Sequence, residues 1–281
     1  MDGSRRTRAM ALVGGGIVSV QLGAAVAFEL FDQLGAIGTV MLRLGFAALV
    51  LAALWRPTLR DLAVRDVIAF GVVFAGMNTS FYLALDRIPL GIAVTFEFVG
   101  PLGVALAASR RRRDVGWAVL AGAGIVLLSP APGGSIDALG MALALLAGAF
   151  WGAYIVLSAR IGRAFAGGQG LALAMIIAAA LLLAPGIAVG GSDLLDLGVL
   201  AAGFGIAMLS SAIPYSLELE ALRWLPQGVF GVLMSLEPAV AAAIGFIVLG
   251  QDLSALELGG IALVVLASAG ALRSAPPPVE G

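Results

Sequence analysis

PLGIAVTFEFVGPLGVAL, the stretch from Pro89 to Leu106, contains the features from which the fold is most directly inferred. It is apolar and long enough to cross a bilayer, yet it carries Glu97 near its middle and Pro101 four residues later. A charge at the bilayer centre costs about 2.5 to 3.5 kcal/mol on insertion scales, and a proline removes one helix hydrogen bond. The missing N–H of Pro101 would also leave the backbone oxygen of Glu97 unpaired. The pattern therefore predicts a membrane-spanning helix with a functional acid beside a break at Gly100 and Pro101.

The composition of the whole chain also indicates lipid as its solvent. Of 281 residues, 61% are hydrophobic and 12% are charged, against about 25% charged residues in soluble domains. The chain contains neither cysteine nor histidine, which removes disulfides, thiol chemistry, most zinc sites and imidazole catalysis. We therefore expect an all-α membrane protein without a metal, cofactor or nucleic-acid partner, and not an enzyme.

Each apolar segment of about 17 to 25 residues is a candidate transmembrane helix. Ten are predicted, of which the fifth is the shortest: Met10–Leu30, Gly35–Trp55, Asp66–Leu85, Pro89–Ser109, Val115–Leu128, Ala138–Leu157, Gly170–Val189, Leu197–Leu222, Gly228–Leu249 and Leu256–Leu272. The connectors between them are short and rich in turn formers. They leave no room for a soluble domain between the helices.

The arginines predict how these helices are oriented. With the N-terminus in the cytoplasm, fourteen of the sixteen basic residues fall in cytoplasmic segments, Arg87 falls on the opposite side and Arg43 lies inside a helix. This excess follows the positive-inside rule. Both termini are therefore expected in the cytoplasm.

The two halves of the chain share an internal repeat. Adding 137 to a position places Pro89 and Gly91 on a second proline and glycine, and Pro101 on Pro238. Because each half has five predicted helices, the second half would enter the membrane from the opposite side, as in many secondary transporters. The predicted parts are a cytoplasmic tail (1–9), two inverted five-helix repeats (10–130 and 138–273) and a second cytoplasmic tail (274–281).

Charged groups inside the predicted helices are candidates for a central site. Glu237, directly before Pro238, lies at a depth that matches Glu97, and intramembrane acids are usually functional. The alternative is a protonated carboxyl that stabilises packing. Arg43 would serve either as an interfacial anchor or as a substrate-binding or gating group, and Glu29 on the preceding helix is its expected partner.

Uncharged polar and aromatic side chains complete the candidate set, with helix–helix hydrogen bonding or packing as the alternative role for each. They are Gln21, Asn78, Tyr82, Trp151, Tyr154 and Tyr215. Pro214 is a further helix break, which frees the carbonyl of Ser210. Glu218 and Glu220, close to Arg223, are predicted to form an interfacial cluster instead.

Four motifs carry a family resemblance: RIPLGIAV (87–94), EFVGPL (97–102), LSSAIPYSLE (209–218) and LMSLEPA (233–239). In order and place they resemble the EamA branch of the drug/metabolite transporter superfamily, and within it the inner-membrane threonine and homoserine exporters of the RhtA type. The resemblance implies ten helices in two inverted five-helix repeats and efflux driven by the proton gradient. The resemblance does not by itself assign a binding role to any residue of this chain.

These features predict a secondary exporter of small amino acids, a multi-pass monomer or homodimer of the bacterial inner membrane that exchanges its substrate for protons. Its cavity would be lined by the third, fourth, eighth and ninth helices and closed by the first and sixth. Arg43 would bind the substrate carboxylate, Glu97 with its freed carbonyl would bind the ammonium, and Glu97 or Glu237 would carry the proton.

Three alternatives remain open from the sequence. The same fold would equally export another solute, such as a cationic drug or a purine. A membrane enzyme or a purely structural membrane protein belongs to a different class. A structural role leaves the central acids and the inverted repeat without explanation.

Overall fold

The computed structural model describes residues 3–58, 64–108, 113–128, 137–222, 230 and 233–274. Within these ranges the chain is helical or lies in short turns, and it contains no strand. The helices are α1 (Gly3–Trp55), α2 (Val64–Leu85), α3 (Leu90–Glu97), α4 (Val99–Ala108), α5 (Arg113–Leu128), α6 (Ala138–Ala164), α7 (Gln169–Gly190), α8 (Leu197–Ala207), α9 (Ile213–Leu222), α10 (Glu237–Leu249) and α11 (Ala255–Ser274).

Many of these helices are apolar enough to lie in a bilayer. Five helical stretches in the described ranges have the length and composition to cross one: Thr7–Trp55, Val64–Leu85, Ala138–Gly162, Gln169–Leu195 and Leu197–Tyr215. Four shorter stretches are also apolar: Leu90–Val104, Val115–Leu128, Glu237–Leu249 and Ala255–Gly270. The prediction of an all-α membrane protein is confirmed.

The first two predicted segments form the two legs of α1, which meet at a kink at Gly35. The predicted start of the second segment agrees with this kink, while the first leg continues through the buried residues Phe31 and Leu34 instead of ending at Leu30. Helical geometry is interrupted only at Gly35, where φ is 61° and ψ is 172°. A positive φ is accessible to glycine without steric cost, so one residue divides α1 into two legs.

Two other predicted segments are divided where proline removes a backbone donor. The fourth segment is interrupted at Phe98, between α3 and α4, ahead of Pro101. The eighth contains a π-helical turn, Met208–Ala212, between α8 and α9, directly ahead of Pro214. The break predicted at Gly100 and Pro101 thus lies slightly earlier, at Phe98, and the break predicted at Pro214 takes the form of a π turn directly before it.

Asp137 fixes the start of α6. Its side chain accepts hydrogen bonds from the N–H groups of Leu139 and Gly140, at 2.7 and 3.1 Å, and forms a 3.0 Å ion pair with Arg87. The bonds from Gly140 and from the Arg87 side chain hold the pKa of this exposed carboxyl below its usual value. The connector after α2 and the start of α6 therefore lie side by side.

Small residues allow the helices to pack closely. The second leg of α1 packs on α7 and α8, while the first leg packs on the π turn and α9. Gly91 of α3 lies against the backbone of Ala242 in α10, and Gly124 of α5 lies against Gly260 of α11. Because lipid tails are as apolar as leucine, close van der Waals packing of this kind holds membrane helices together.

Some predicted features lie outside the described residues. They are Arg60, Arg110 to Arg112 and Arg223 of the orientation argument, and Pro226 and Gly228 of the repeat.

Candidate functional site

A cavity of about 660 Å³ lies inside the helix bundle. Its walls come from both legs of α1, from α2, α3, α4, α6, the π turn and α9, and from the chain that enters α10. Nine of the predicted site residues line it: Gln21, Arg43, Asn78, Glu97, Pro101, Trp151, Tyr154, Tyr215 and Glu237. The structure thus brings together side chains that are up to 216 positions apart in the sequence.

Arg43 is held in place by two groups that are not carboxylates. Its Nη2 donates to the backbone oxygen of Ser210 at 3.2 Å, and its guanidinium carbon lies 5.3 Å from the centre of the Tyr82 ring. Its Nε has no hydrogen-bond partner among the described residues, although the side chain is only 8% exposed. Arg43 therefore retains hydrogen-bonding capacity and a positive charge for an anionic ligand.

Pro214 explains why Arg43 finds a backbone acceptor. The N–H that proline lacks would have bonded Ser210 in an α-helix or Leu209 in a π-helix. Both oxygens are instead bonded by α1, since the Ser19 hydroxyl donates to Leu209 at 2.7 Å and Arg43 donates to Ser210. The π turn is therefore tied to both legs of α1.

Two expected contacts are corrected. Glu29 does not pair with Arg43, because its side chain is exposed and the ion pair found in the described ranges is Arg87–Asp137. The backbone oxygen of Glu97 faces Gly148 of α6, so closely that a Cβ on Gly148 would collide with it. That oxygen therefore packs against α6 and is not the free acceptor that Pro101 was expected to leave.

Three carboxyl groups line the cavity, from Glu97, Glu218 and Glu237. Glu237 is buried and Glu218 is partly buried. The prediction that Glu218 belongs to an interfacial cluster is wrong, because α9 packs against α1 at Gly16 and directs this side chain inward. The absence of a side chain on Gly16 was the only sequence signal for that contact.

Aromatic rings form part of the wall. Trp151 meets Phe98 edge to face, with 5.4 Å between ring centres, and Tyr154 stacks on Phe70 at 5.1 Å. Tyr82, expected at the wall, lies instead beneath Arg43 and is fully buried. Gly100, Pro214 and Pro238 do not line the cavity.

Sequence reasoning also missed several wall residues, chiefly Met77, Phe81, Ser158, Phe230 and Met234. All but Ser158 are apolar, and in a chain this apolar they carry no distinguishing signal. Ser158 lies 137 positions after Gln21, so applying the repeat to Gln21 would have predicted it as a wall residue.

A bundle of apolar helices around a cavity with buried charged groups defines a membrane transporter, since such charges are costly in a bilayer unless they act on a substrate or ion. The sequence pattern of the EamA-like transporter family matches residues 138–273. The chain is also 42% identical over 259 residues to the threonine/homoserine exporter RhtA of Escherichia coli strain K12, covering 90% of this chain and 88% of that protein.

A second relative is the threonine/homoserine exporter RhtA of Salmonella typhimurium strain LT2, 41% identical over 257 residues, covering 90% of this chain and 87% of the relative. The chain belongs to the EamA-like transporter family and is RhtA-like in sequence. The predictions of this family, and of a multi-pass inner-membrane transporter that is not an enzyme, are confirmed.

Among the solved structures that share the fold is a crystal structure with a TM-score of 0.62, covering 95% of this chain and 96% of the other. The two sequences are only 17% identical, so the likeness concerns architecture alone.

Proposed function

We propose that this protein is a secondary exporter of threonine, homoserine and related small amino acids, which works by proton antiport with alternating access. One observation carries the proposal: a single cavity holds Arg43, without a carboxylate partner among the described residues, and three glutamates. A zwitterion needs a cation for its carboxylate and an acid for its ammonium. The sequence relatives supply the substrate class, because both are threonine/homoserine exporters.

In this proposal Arg43 binds the carboxylate and Glu97 or Glu237 binds the ammonium group. The same acids accept a proton from the periplasmic side and release it on the cytoplasmic side when the cavity opens there. Moving one charge across 100 mV is worth about 2.3 kcal/mol, which sustains a concentration gradient of about 50-fold. That is enough for efflux without ATP.

Alternating access requires two related halves, and we propose ten transmembrane helices in inverted repeats at 10–130 and 138–273. Support comes from the cavity wall, where four pairs of lining residues are separated by 137 positions: Gln21 and Ser158, Asn78 and Tyr215, Phe81 and Glu218, Glu97 and Met234. The pairs place corresponding positions of the two halves around one cavity, although their chemistry differs. A monomer or homodimer is compatible with a cavity built within one chain.

An efflux assay tests the function. Cells that lack their own exporters are preloaded with labelled threonine or homoserine and express the intact chain, Glu97→Gln or Glu29→Gln, with and without a protonophore. We expect export by the intact chain, a loss of about tenfold or more with Glu97→Gln or the protonophore, and no change with Glu29→Gln, whose carboxyl is exposed and outside the cavity.

Two results would contradict the proposal. Absence of export by the correctly inserted intact chain would exclude these substrates, and full activity of Glu97→Gln would exclude Glu97 as the coupling acid.

The excess of carboxyls over Arg43 favours a cationic solute as the second candidate function. Competition by a panel of cationic compounds in the same cells would distinguish it.

A further inference from the structure

Gln21 is a buried amide with unused hydrogen-bonding capacity. It lines the central cavity, is 2% exposed, and its Oε1 has no hydrogen-bond partner among the described residues. Buried polar atoms in proteins are nearly always hydrogen-bonded, so an unpartnered one needs a reason. A ligand that enters the cavity and donates a hydrogen bond would provide it.

Gln21 points away from the charged Arg43 region. Ser19 and Gly23, two residues to either side, contact the π turn: the Ser19 hydroxyl bonds Leu209, and a Cβ on Gly23 would collide with the Ser210 hydroxyl. Residues two apart in an α-helix point about 200° apart. Gln21 therefore faces away from the Arg43–Ser210 contact and would meet a different part of the substrate.

Two of the other short polar side chains of the cavity are already engaged, while the unpartnered hydroxyl of Ser210 lies at the π turn, on the Arg43 side of the cavity. Ser158 donates to the backbone oxygen of Ile155 at 2.9 Å, and the Asn78 amide donates to that of Phe74 at 2.9 Å, each within its own helix. A neutral amide is suited to an alcohol, because its oxygen accepts from the O–H while its NH₂ donates to the same oxygen.

We propose that Gln21 hydrogen-bonds the side-chain hydroxyl of the transported amino acid and thereby makes the cavity select hydroxylated amino acids over apolar ones of the same shape. This inference rests on the proposed function and names the group that sets its specificity. A site built to bond a hydroxyl rejects the analogue that lacks it, because the buried polar group of the site is then left unpaired.

The test uses labelled threonine exchange in liposomes that contain the purified full chain, with unlabelled competitors. Threonine is compared with valine, in which a methyl replaces the hydroxyl, and homoserine with norvaline. Gln21→Met keeps the length of the side chain and removes both hydrogen-bonding groups. For equal inhibition of threonine exchange by the intact protein, we expect the apolar competitor to be needed at about ten times the concentration of the hydroxylated one. In Gln21→Met we expect this concentration ratio to fall to about twofold.

Thr39→Val is the matched control. It removes a buried hydroxyl on the same helix that does not line the cavity and is bonded to the backbone oxygen of Gly35, so we expect the ratio to stay at the value of the intact protein. If Gln21→Met is folded but does not exchange, thermal stabilisation of the purified variant by threonine and by valine gives the same comparison without turnover.

An unchanged ratio in Gln21→Met, by exchange or by stabilisation, overturns the role of Gln21 and leaves threonine export standing. An intact protein that exchanges threonine but binds valine equally well overturns hydroxyl selection. An intact protein that neither exchanges nor is stabilised by any of the four amino acids overturns the proposed function and this inference with it.

Discussion

At the scale of single residues, the environment of Arg43 supports the proposed binding of a substrate carboxylate. A buried guanidinium is costly unless it is paired, yet Arg43 contacts a carbonyl and an aromatic ring and keeps its Nε unpartnered among the described residues. The two contacts orient the side chain without neutralising it. In the proposed function, this charge binds the substrate carboxylate.

Tyr82 is predicted to act through its ring and not through its hydroxyl. The buried hydroxyl has no partner in the described ranges, so Tyr82→Phe should leave stability and export nearly unchanged. Tyr82→Leu removes a cation–π contact of about 0.5 to 2 kcal/mol and should raise the KM for export by about 2- to 30-fold. KM measurements on both variants in liposomes check this, and equal effects would show that the ring does not orient Arg43.

At the scale of helices, the crossing of α3 and α4 with α6 depends on glycine. Gly148 faces the backbone oxygen of Glu97, and Gly100 faces the backbone of Gly148, so neither contact leaves space for a Cβ. Gly152 lies one helical turn further along and contacts the same region. This small-xxx-small pattern brings the backbones together and fixes the position of the helix that carries Glu97.

We predict that Gly100→Ala lowers the thermal stability of the purified protein, because the added Cβ meets backbone that cannot move aside. Overpacking of this kind costs about 1 to 3 kcal/mol. Gly103→Ala is the control on the same helix: nothing lies within 4 Å of its added Cβ, and alanine is the better helix former by about 1 kcal/mol. Equal melting temperatures for the two variants in detergent would argue against a tight crossing.

At the scale of the whole molecule, the contacting connectors are ones that the arginine distribution places on the same side of the membrane. The ion pair of Arg87 with Asp137, and the 2.9 Å bond between Leu90 N–H and Gln251 Oε1, join connectors expected on the periplasmic side. Trp55 packs on Gly167 at an end expected in the cytoplasm. Contacts between distant parts of the chain therefore agree with one consistent sidedness.

The orientation itself is predicted from the positive-inside rule. Green fluorescent protein fused after residue 281 should fluoresce, because it folds in the cytoplasm. Alkaline phosphatase inserted in the connector 130–136 should be active, because it requires the periplasm. The opposite pair of results would invert the topology and would show that the arginine distribution does not set the orientation of this chain.

The sequence by itself determined the features that depend on local composition. The lengths of the apolar stretches predict the helices, and the missing N–H of Pro214 predicts a helix break. Arg43, Glu97 and Glu237 are candidates because charged side chains are costly in lipid. Each of these predictions follows from a few neighbouring residues and their solvent. The family resemblance is carried by such local motifs as well.

Only the tertiary structure decided which of these groups meet. It directs Arg43 to Ser210, places Tyr82 beneath it, closes the Glu97 carbonyl against Gly148 and directs Glu218 into the cavity. The physical reason is that these contacts depend on how each helix is rotated and where it crosses its neighbours. Helices that are apolar on every side carry no pattern that fixes their rotation, so close packing at glycine and the few polar side chains must set it.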